Sequence, residues 1–291
     1  MIPQIKNGIL IVNKPQGITS HDVVDVIRKI FPNTKVGHTG TLDPLATGVL
    51  PICIGQATKL SDAITSYDKK YFVKMLLGVE TDTYDITGKI VFASVLNKDE
   101  IYIKERIKRF IGKQLQIPPK YSAIKVNGKK AYEYARSGQD VQLKSREIEI
   151  FDIDDISVNL RKREVSFIVS CTKGTYVRSL VHDIGLKLGC GATMTELKRL
   201  KTGDFSIDDS ILLDDFLKLD YLDMLDKITS IEELYKDSKK INFTKEEFEK
   251  FLNGIPLETD IQEKIARVYC DLRYKGLGKV ENNSIKRFVI E

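Results

Sequence analysis

Cysteine and histidine are scarce in this chain, and their placement removes several functions at once. The 4 cysteines, Cys53, Cys171, Cys190 and Cys270, show no Cys-x-x-Cys spacing, and only 3 histidines are present. Such a set offers no zinc-ligand pattern and predicts reduced, buried thiols. Long apolar runs are missing as well. The stretch Ile9-Leu10-Ile11-Val12 near the start is too short for a signal segment or a membrane span, so a cytoplasmic protein with no membrane association is expected. Internal repeats and low-complexity segments are absent. Thr81 to Gly88 carries aspartates in a polar loop but lacks a calcium-loop continuation, and no metal site is expected there.

What is present describes a globular chain. With 291 residues, 42% apolar and 30% charged, it exceeds one average domain and can bury a core, so one large domain with a small appendage is expected. The net charge of +5 is modest but unevenly distributed. Lys98 to Arg146 holds 13 Lys/Arg against 5 Asp/Glu, whereas Asp208 to Asp237 holds 10 Asp/Glu against 3 Lys. A phosphate backbone would be drawn to the first segment and repelled by the second.

Periodicity gives a coarse element order. Gly8 to Lys14 reads as a buried strand stopped by Pro15, and a helix follows, capped by Thr19 or Ser20, with Val23, Ile27, Ile30 and Phe31 on one face. Val49 to Ile54 reads as a second buried strand. Asp68 to Gly78 alternates, with Tyr71, Val73, Met75 and Leu77 sharing one face. A helix from about Lys98, capped by Asn97, places Ile103, Ile107, Phe110 and Ile111 inward; a short helix is expected over Ala131 to Ser137. Strands are expected over Glu147 to Ile156 and Glu164 to Cys171, then a helix with Val177, Leu180, Val181, Ile184 and Leu188 on its apolar face, closed by Gly189. The acidic stretch from Asp208 to about Ser238 reads as helices packed on the large domain. A small final unit follows Lys239-Lys240, with a helix near Thr244 to Asn253 and three short strands.

Two local features suggest chemistry. In Gly37-His38-Thr39-Gly40-Thr41-Leu42-Asp43-Pro44-Leu45-Ala46-Thr47-Gly48, small and restricted residues surround one carboxylate, as a tight loop approaching a ligand would require. Pro44 pushes Asp43 toward extended backbone, which presents its side chain at a bend. Taken alone, Asp43 also reads as a turn cap. Arg178 sits in the first turn of its helix, where the dipole disfavours a cation, and this suggests a carboxylate partner. His182-Asp183 occupies consecutive helical positions facing different directions and reads as ordinary helix surface.

The run GHTGTLDPLATGVLPICIGQATKL resembles the catalytic motif of the bacterial TruB family of tRNA pseudouridine synthases, and Asp-Lys-Lys-Tyr71-Phe-Val and Lys-Gly-Thr-Tyr176-Val-Arg178 resemble that family's second and third motifs. Pro118-Pro119-Lys120-Tyr121-Ser122-Ala123 resembles part of its mobile RNA-contacting insertion. The resemblance extends over essentially the whole chain and implies an α+β fold: a large mixed, mostly antiparallel sheet flanked by helices, plus a small PUA-like β-rich C-terminal domain. It implies residues 1–238 as the catalytic domain, with 98–146 as the basic RNA-contacting insertion, and 239–291 as the C-terminal domain. By the same resemblance Asp43, Tyr71 and Arg178 are catalytic, Arg178 pairs with Asp43, and Tyr71 stacks on the flipped base. His38, Tyr176 and Leu197 join Tyr71 in binding the substrate. The implied reaction isomerises the T-loop uridine (U55) of tRNA without cofactor or metal, by a monomer recognising the T-arm stem-loop. A noncatalytic RNA-binding protein and a guide-dependent synthase are the alternatives.

Overall fold

The computed structural model describes residues 7–139 and 141–291. Residues 1–6, which precede the apolar stretch too short for a signal segment, lie outside the described residues. Strand β1 (Gly8–Lys14) runs antiparallel to a later strand, and helix α1 (Ser20–Ile30) follows it. Thr19 is the N-cap: its hydroxyl accepts from Asp22 N–H, while the Asp22 carboxylate accepts from Thr19 N–H at 2.8 Å. Next come β2 (Val36–His38), β3 (Thr47–Ile54), a 3-10 turn continued by α2 (Ser61–Thr65), and β4 (Lys69–Leu77). The β5–β6 hairpin (Val79–Thr81 and Ile90–Ala93) precedes α3 (Glu100–Lys108) and β7 (Gly112–Gln116). A small hairpin of β8 (Lys125–Val126) and β9 (Lys129–Lys130) leads into α4 (Ala131–Arg136). Long strands β10 (Arg146–Asn159) and β11 (Glu164–Cys171), helix α5 (Val177–Leu188) and β12 (Ala192–Thr202) complete the central framework.

Eight of these strands, all but the β5–β6 and β8–β9 hairpins, join three short later ones in an 11-stranded sheet whose main path runs Ile211–Leu212, β1, β3, β12, β4, β11, β10, β7. Its pairings are antiparallel except where β1 meets Ile211–Leu212 and where β3 meets β12. Every second residue of β4 is buried, as the alternation predicts, and Tyr71, Val73, Met75 and Leu77 enter one core with Val23 and Ile27 of α1 and Leu180 and Ile184 of α5. Strands β1 and β3 read as continuous apolar runs for a different reason: both of their faces are covered. Leu10, Val12, Leu50 and Ile52 face the main core, while Ile9 and Cys53 face a second cluster that includes Leu277 and Val289 from the C-terminal sheet.

The parallel contact of β3 with β12 spans only Thr47↔Lys198 and Gly48↔Arg199. Gly48 has φ +102, and a Cβ there would lie 2.2 Å from Arg199 O, so the close approach of the two backbones requires glycine. This seam lies where the Asp43 loop returns to the sheet.

The C-terminal region forms a five-stranded sheet in the order Lys240–Phe243, Ile265–Cys270, Arg273–Glu281, Ser284–Ile290, Leu257–Glu258, with Phe251, Val268 and Ile285 at its core. Several local expectations are corrected. The helix expected from Lys98 begins at Glu100, because Asp99 rather than Asn97 accepts the capping bond, from Tyr102 N–H at 2.8 Å. Ile111 lies outside that helix and is exposed. The acidic stretch is not only helical: Ile211–Leu212 and Ile228–Ser230 pair with β1 between helices of 4 to 6 residues. Those pairings satisfy β1 backbone groups that helices alone would leave open.

Candidate active site

The residues between β2 and β3 form a loop fastened at many points. At the entrance of α1, Ser20 Oγ accepts from Leu42 N–H at 2.8 Å and donates to Leu42 O at 3.2 Å. Gly17 N–H donates to Pro44 O at 2.8 Å, and Ala46 N–H donates to Asp43 O at 3.0 Å. Leu42 and Ala46 are buried on either side of Asp43. From β12, the fully buried Arg199 donates through Nε to Val49 O (2.6 Å) and through Nη2 to Gly40 O (3.1 Å), tying the two limbs of the loop together. The backbone at Asp43 is thereby immobilised on both sides, which is the preorganisation a reacting carboxylate needs.

Asp43 retains 35% exposure of its side chain and meets Arg178, whose side chain is only 6% exposed. Arg178 Nη2 donates to Asp43 Oδ1 at 3.1 Å. Its Nε lies 2.8 Å from Oδ2, yet the Nε–H is not aimed at that oxygen, so the contact is a close ion pair with one aligned hydrogen bond. The rest of the guanidinium is engaged as well. Nη1 donates to Thr83 O (3.3 Å), Nη2 donates to Tyr121 O (3.0 Å), and Nη1 stands 3.8 Å from Asp85 Oδ2. The partner expected for Arg178 from its position in the helix is therefore present, and a second carboxylate shares the same cation.

Asp85 is the residue that reading the polar loop as a possible metal site passed over. It is buried, and its Oδ1 accepts from Thr83 Oγ1 (2.9 Å), Thr87 N–H (2.9 Å) and Thr87 Oγ1 (2.5 Å). The threonine-aspartate alternation was the available signal, but its meaning depends on Arg178, which is 93 residues away along the chain. The loop-fastening role of Arg199 is likewise not legible in the sequence, since nothing local distinguishes a buried arginine from its solvated neighbours in a strand.

The other residues singled out by sequence lie around this pair. Tyr71 is buried on β4, directly across from Arg199 in the β4–β12 register. Burial pushes its phenol above the ordinary value, and the adjacent Arg199 guanidinium opposes that shift. Leu197, also buried, precedes Arg199 on the same strand. Tyr176 caps α5, held by Gln116 through Tyr176 N–H to Oε1 (2.8 Å) and Gln116 Nε2–H to Tyr176 O (3.1 Å), with the Arg146 guanidinium over its ring. His38 ends β2 with a buried Nδ1 that has no hydrogen-bond partner, and burial, aided by Arg199, lowers its pKa. Lys14 closes the floor, donating to Pro15 O and Ile18 O; burial lowers its pKa to about 8 while Asp43 opposes the shift.

Beyond this pair lies a cationic and aromatic surface. Lys98 and Arg106 flank the Tyr102 ring, and Lys130 and Arg136 flank that of Tyr132. Among the described residues no group of three or more His, Cys, Asp or Glu side chains is arranged to hold a metal ion, and no helix is long and apolar enough to cross a membrane.

A family model described as TruB family pseudouridylate synthase (N terminal domain) matches residues 28–177, more than half of the chain. The chain belongs to the TruB family. A second model, the tRNA pseudouridylate synthase B C-terminal domain, matches residues 178–234, so the Asp43–Arg178 pair joins the two matched segments. The tRNA pseudouridine synthase B of Clostridium kluyveri is 44% identical over 94% of this chain and 95% of its own length. That of Fusobacterium nucleatum is 38% identical over 96% and 97%. Among solved structures, a Cbf5-Nop10-Gar1 complex aligns with TM-score 0.70 at 26% identity, covering 98% of this chain and 84% of the other. Another, an H/ACA RNP bound to a substrate RNA containing 2'-deoxyuridine, aligns with TM-score 0.67 at 26% identity, covering 99% and 84%. This TruB-family chain is a pseudouridine synthase, with the fold of that family and a β-rich C-terminal domain.

Proposed function

We propose that the chain isomerises the T-loop uridine of tRNA to pseudouridine on its own, with Asp43 as the essential carboxylate. The observation that carries this reading is a fastened loop presenting a partly exposed Asp43 against the buried Arg178 guanidinium. In the reaction the N1–C1′ bond breaks, uracil turns, a C5–C1′ bond forms, N1 gains a proton and C5 loses one. Atoms and electrons balance without an external reactant. Arg178 orients Asp43 through their ion pair, and Asp43 acts on the ribose, as nucleophile at C1′ or as base toward the 2′ carbon.

Tyr71 stacks on the flipped base and takes part in removing the C5 proton, with Arg199 offsetting the effect of burial on its phenol. Because Tyr71 and Leu197 are buried here, the base enters by parting side chains around them. His38 supports the rearranged T loop, and Tyr176 and Leu197 line the uracil site. The basic segment 98–146 holds the T-arm backbone. Residues 1–238 form the catalytic domain and 239–291 the appended one.

The test is incubation of the purified chain alone with an unmodified T-arm stem-loop RNA, followed by chemical mapping of pseudouridine. Conversion at the single T-loop uridine is expected. Tight binding without conversion would overturn the stand-alone reading and favour dependence on further RNA or protein components, as in the ribonucleoprotein setting of the solved H/ACA relative.

A further inference from the structure

Arg178 and His182 are one turn apart on α5 and so share a face of the helix. Arg178 reaches Thr83 O and the Asp85 carboxylate; His182 reaches the residue between them. The Tyr84 and His182 rings stack at 4.0 Å between centroids and 13° between planes. His182 Nδ1 also lies 3.2 Å from Glu80 Oε1, and both side chains are only 16% exposed. The Nδ1 atom is buried and makes no aligned hydrogen bond, so the imidazole is held by the ring stack and by its close approach to Glu80.

Tyr84 has φ +63, a left-handed conformation that a bulky aromatic residue adopts only under external constraint. Its backbone is the pivot of the loop. Tyr84 O accepts from Met194 N–H at 3.0 Å, Ile86 N–H returns to Met194 O at 2.9 Å, and Tyr84 N–H bonds to Thr81 O at 3.1 Å. Relaxing Tyr84 to ordinary backbone angles would rotate the peptide groups on both sides and carry Thr83 O and Asp85 away from the guanidinium.

We infer that His182 is a positioning residue for the reaction: its ring holds Tyr84 in the left-handed conformation that turns Thr83 O and Asp85 toward Arg178. The inference rests on the proposed role of the Asp43–Arg178 pair. It reassigns His182 from ordinary helix surface to support for the site, and it gives the Tyr84 ring a task.

Glycine adopts positive φ without strain, which provides a specific test. His182→Ala should lower kcat about tenfold, with KM for the RNA nearly unchanged, because a slightly misplaced guanidinium affects the chemical step more than binding. His182→Phe, which keeps a flat ring, should retain most of the rate. The decisive comparison is His182→Ala in a Tyr84→Gly background, where the stack is no longer needed and the added loss should fall below about twofold. An equal loss in both backgrounds overturns the inference, as does a His182→Ala protein with the parental kcat. Thermal midpoints of the same variants give a second readout, with the cost of His182→Ala again expected to shrink in the Tyr84→Gly background. If the parent chain converts no RNA, the functional reading falls while these midpoints still decide whether His182 holds Tyr84; additive midpoints would overturn that coupling.

Discussion

His38 shows how a single side chain reports on the site. Its burial near Arg199 lowers the pKa below the ordinary 6.5, so the folded state binds its proton more weakly than the unfolded chain does. The unfolded state then carries more protons as pH falls through and below 6.5, and the stability His38 contributes is full above that value and lost on acidification. Urea unfolding of His38→Gln should accordingly lose less stability than the parent between pH 7 and pH 5; parallel curves would show that His38 is not the group responsible. At the same scale, the mutual dependence of Asp43 and Arg178 was partly legible, since a cation in the first helical turn asks for a carboxylate. Asp85 was not legible, because a loop aspartate bonded to its own threonines looks like an ordinary turn until a distant arginine is brought to it.

Elements were legible where one periodicity governs. Strand β4 alternates because one face meets the core, and α5 carries its apolar stripe for the same reason. The order failed where pairing partners decide: the two- and three-residue strands in the acidic stretch exist only because β1 offers them open backbone groups. The seam between β3 and β12 belongs to this class too. Gly48→Ala would place Cβ against Arg199 O in a left-handed backbone, and we expect a loss of about 3 kcal/mol in stability together with impaired turnover. Denaturant titration checks it, and an unchanged midpoint would contradict this close packing of β3 on β12.

Across the whole molecule, charge is segregated so that the basic segment and the acidic stretch impose opposite preferences on a polyanion. Composition alone revealed this. It could not reveal that Arg146 covers the Tyr176 ring and so connects the segment to the site. Replacing Lys125, Lys129 and Lys130 by glutamine should weaken T-arm binding and flatten the dependence of log K on log salt by about 0.7 to 0.9 for each phosphate no longer neutralised. The rate at saturating RNA should be preserved. An unchanged salt slope would remove these lysines from the RNA face. The C-terminal sheet likewise cannot be read as a loose appendage, since Leu277 and Val289 share a buried cluster with Ile9 and Cys53.

Asp43, held by Arg178, is proposed to serve the chemistry rather than the binding. Single-turnover conversion and RNA affinity, measured side by side for the parent chain and Asp43→Asn, separate the two. The expected result is no detectable pseudouridine from Asp43→Asn with an RNA affinity within about threefold of the parent. Conversion at a rate near the parental one would contradict it.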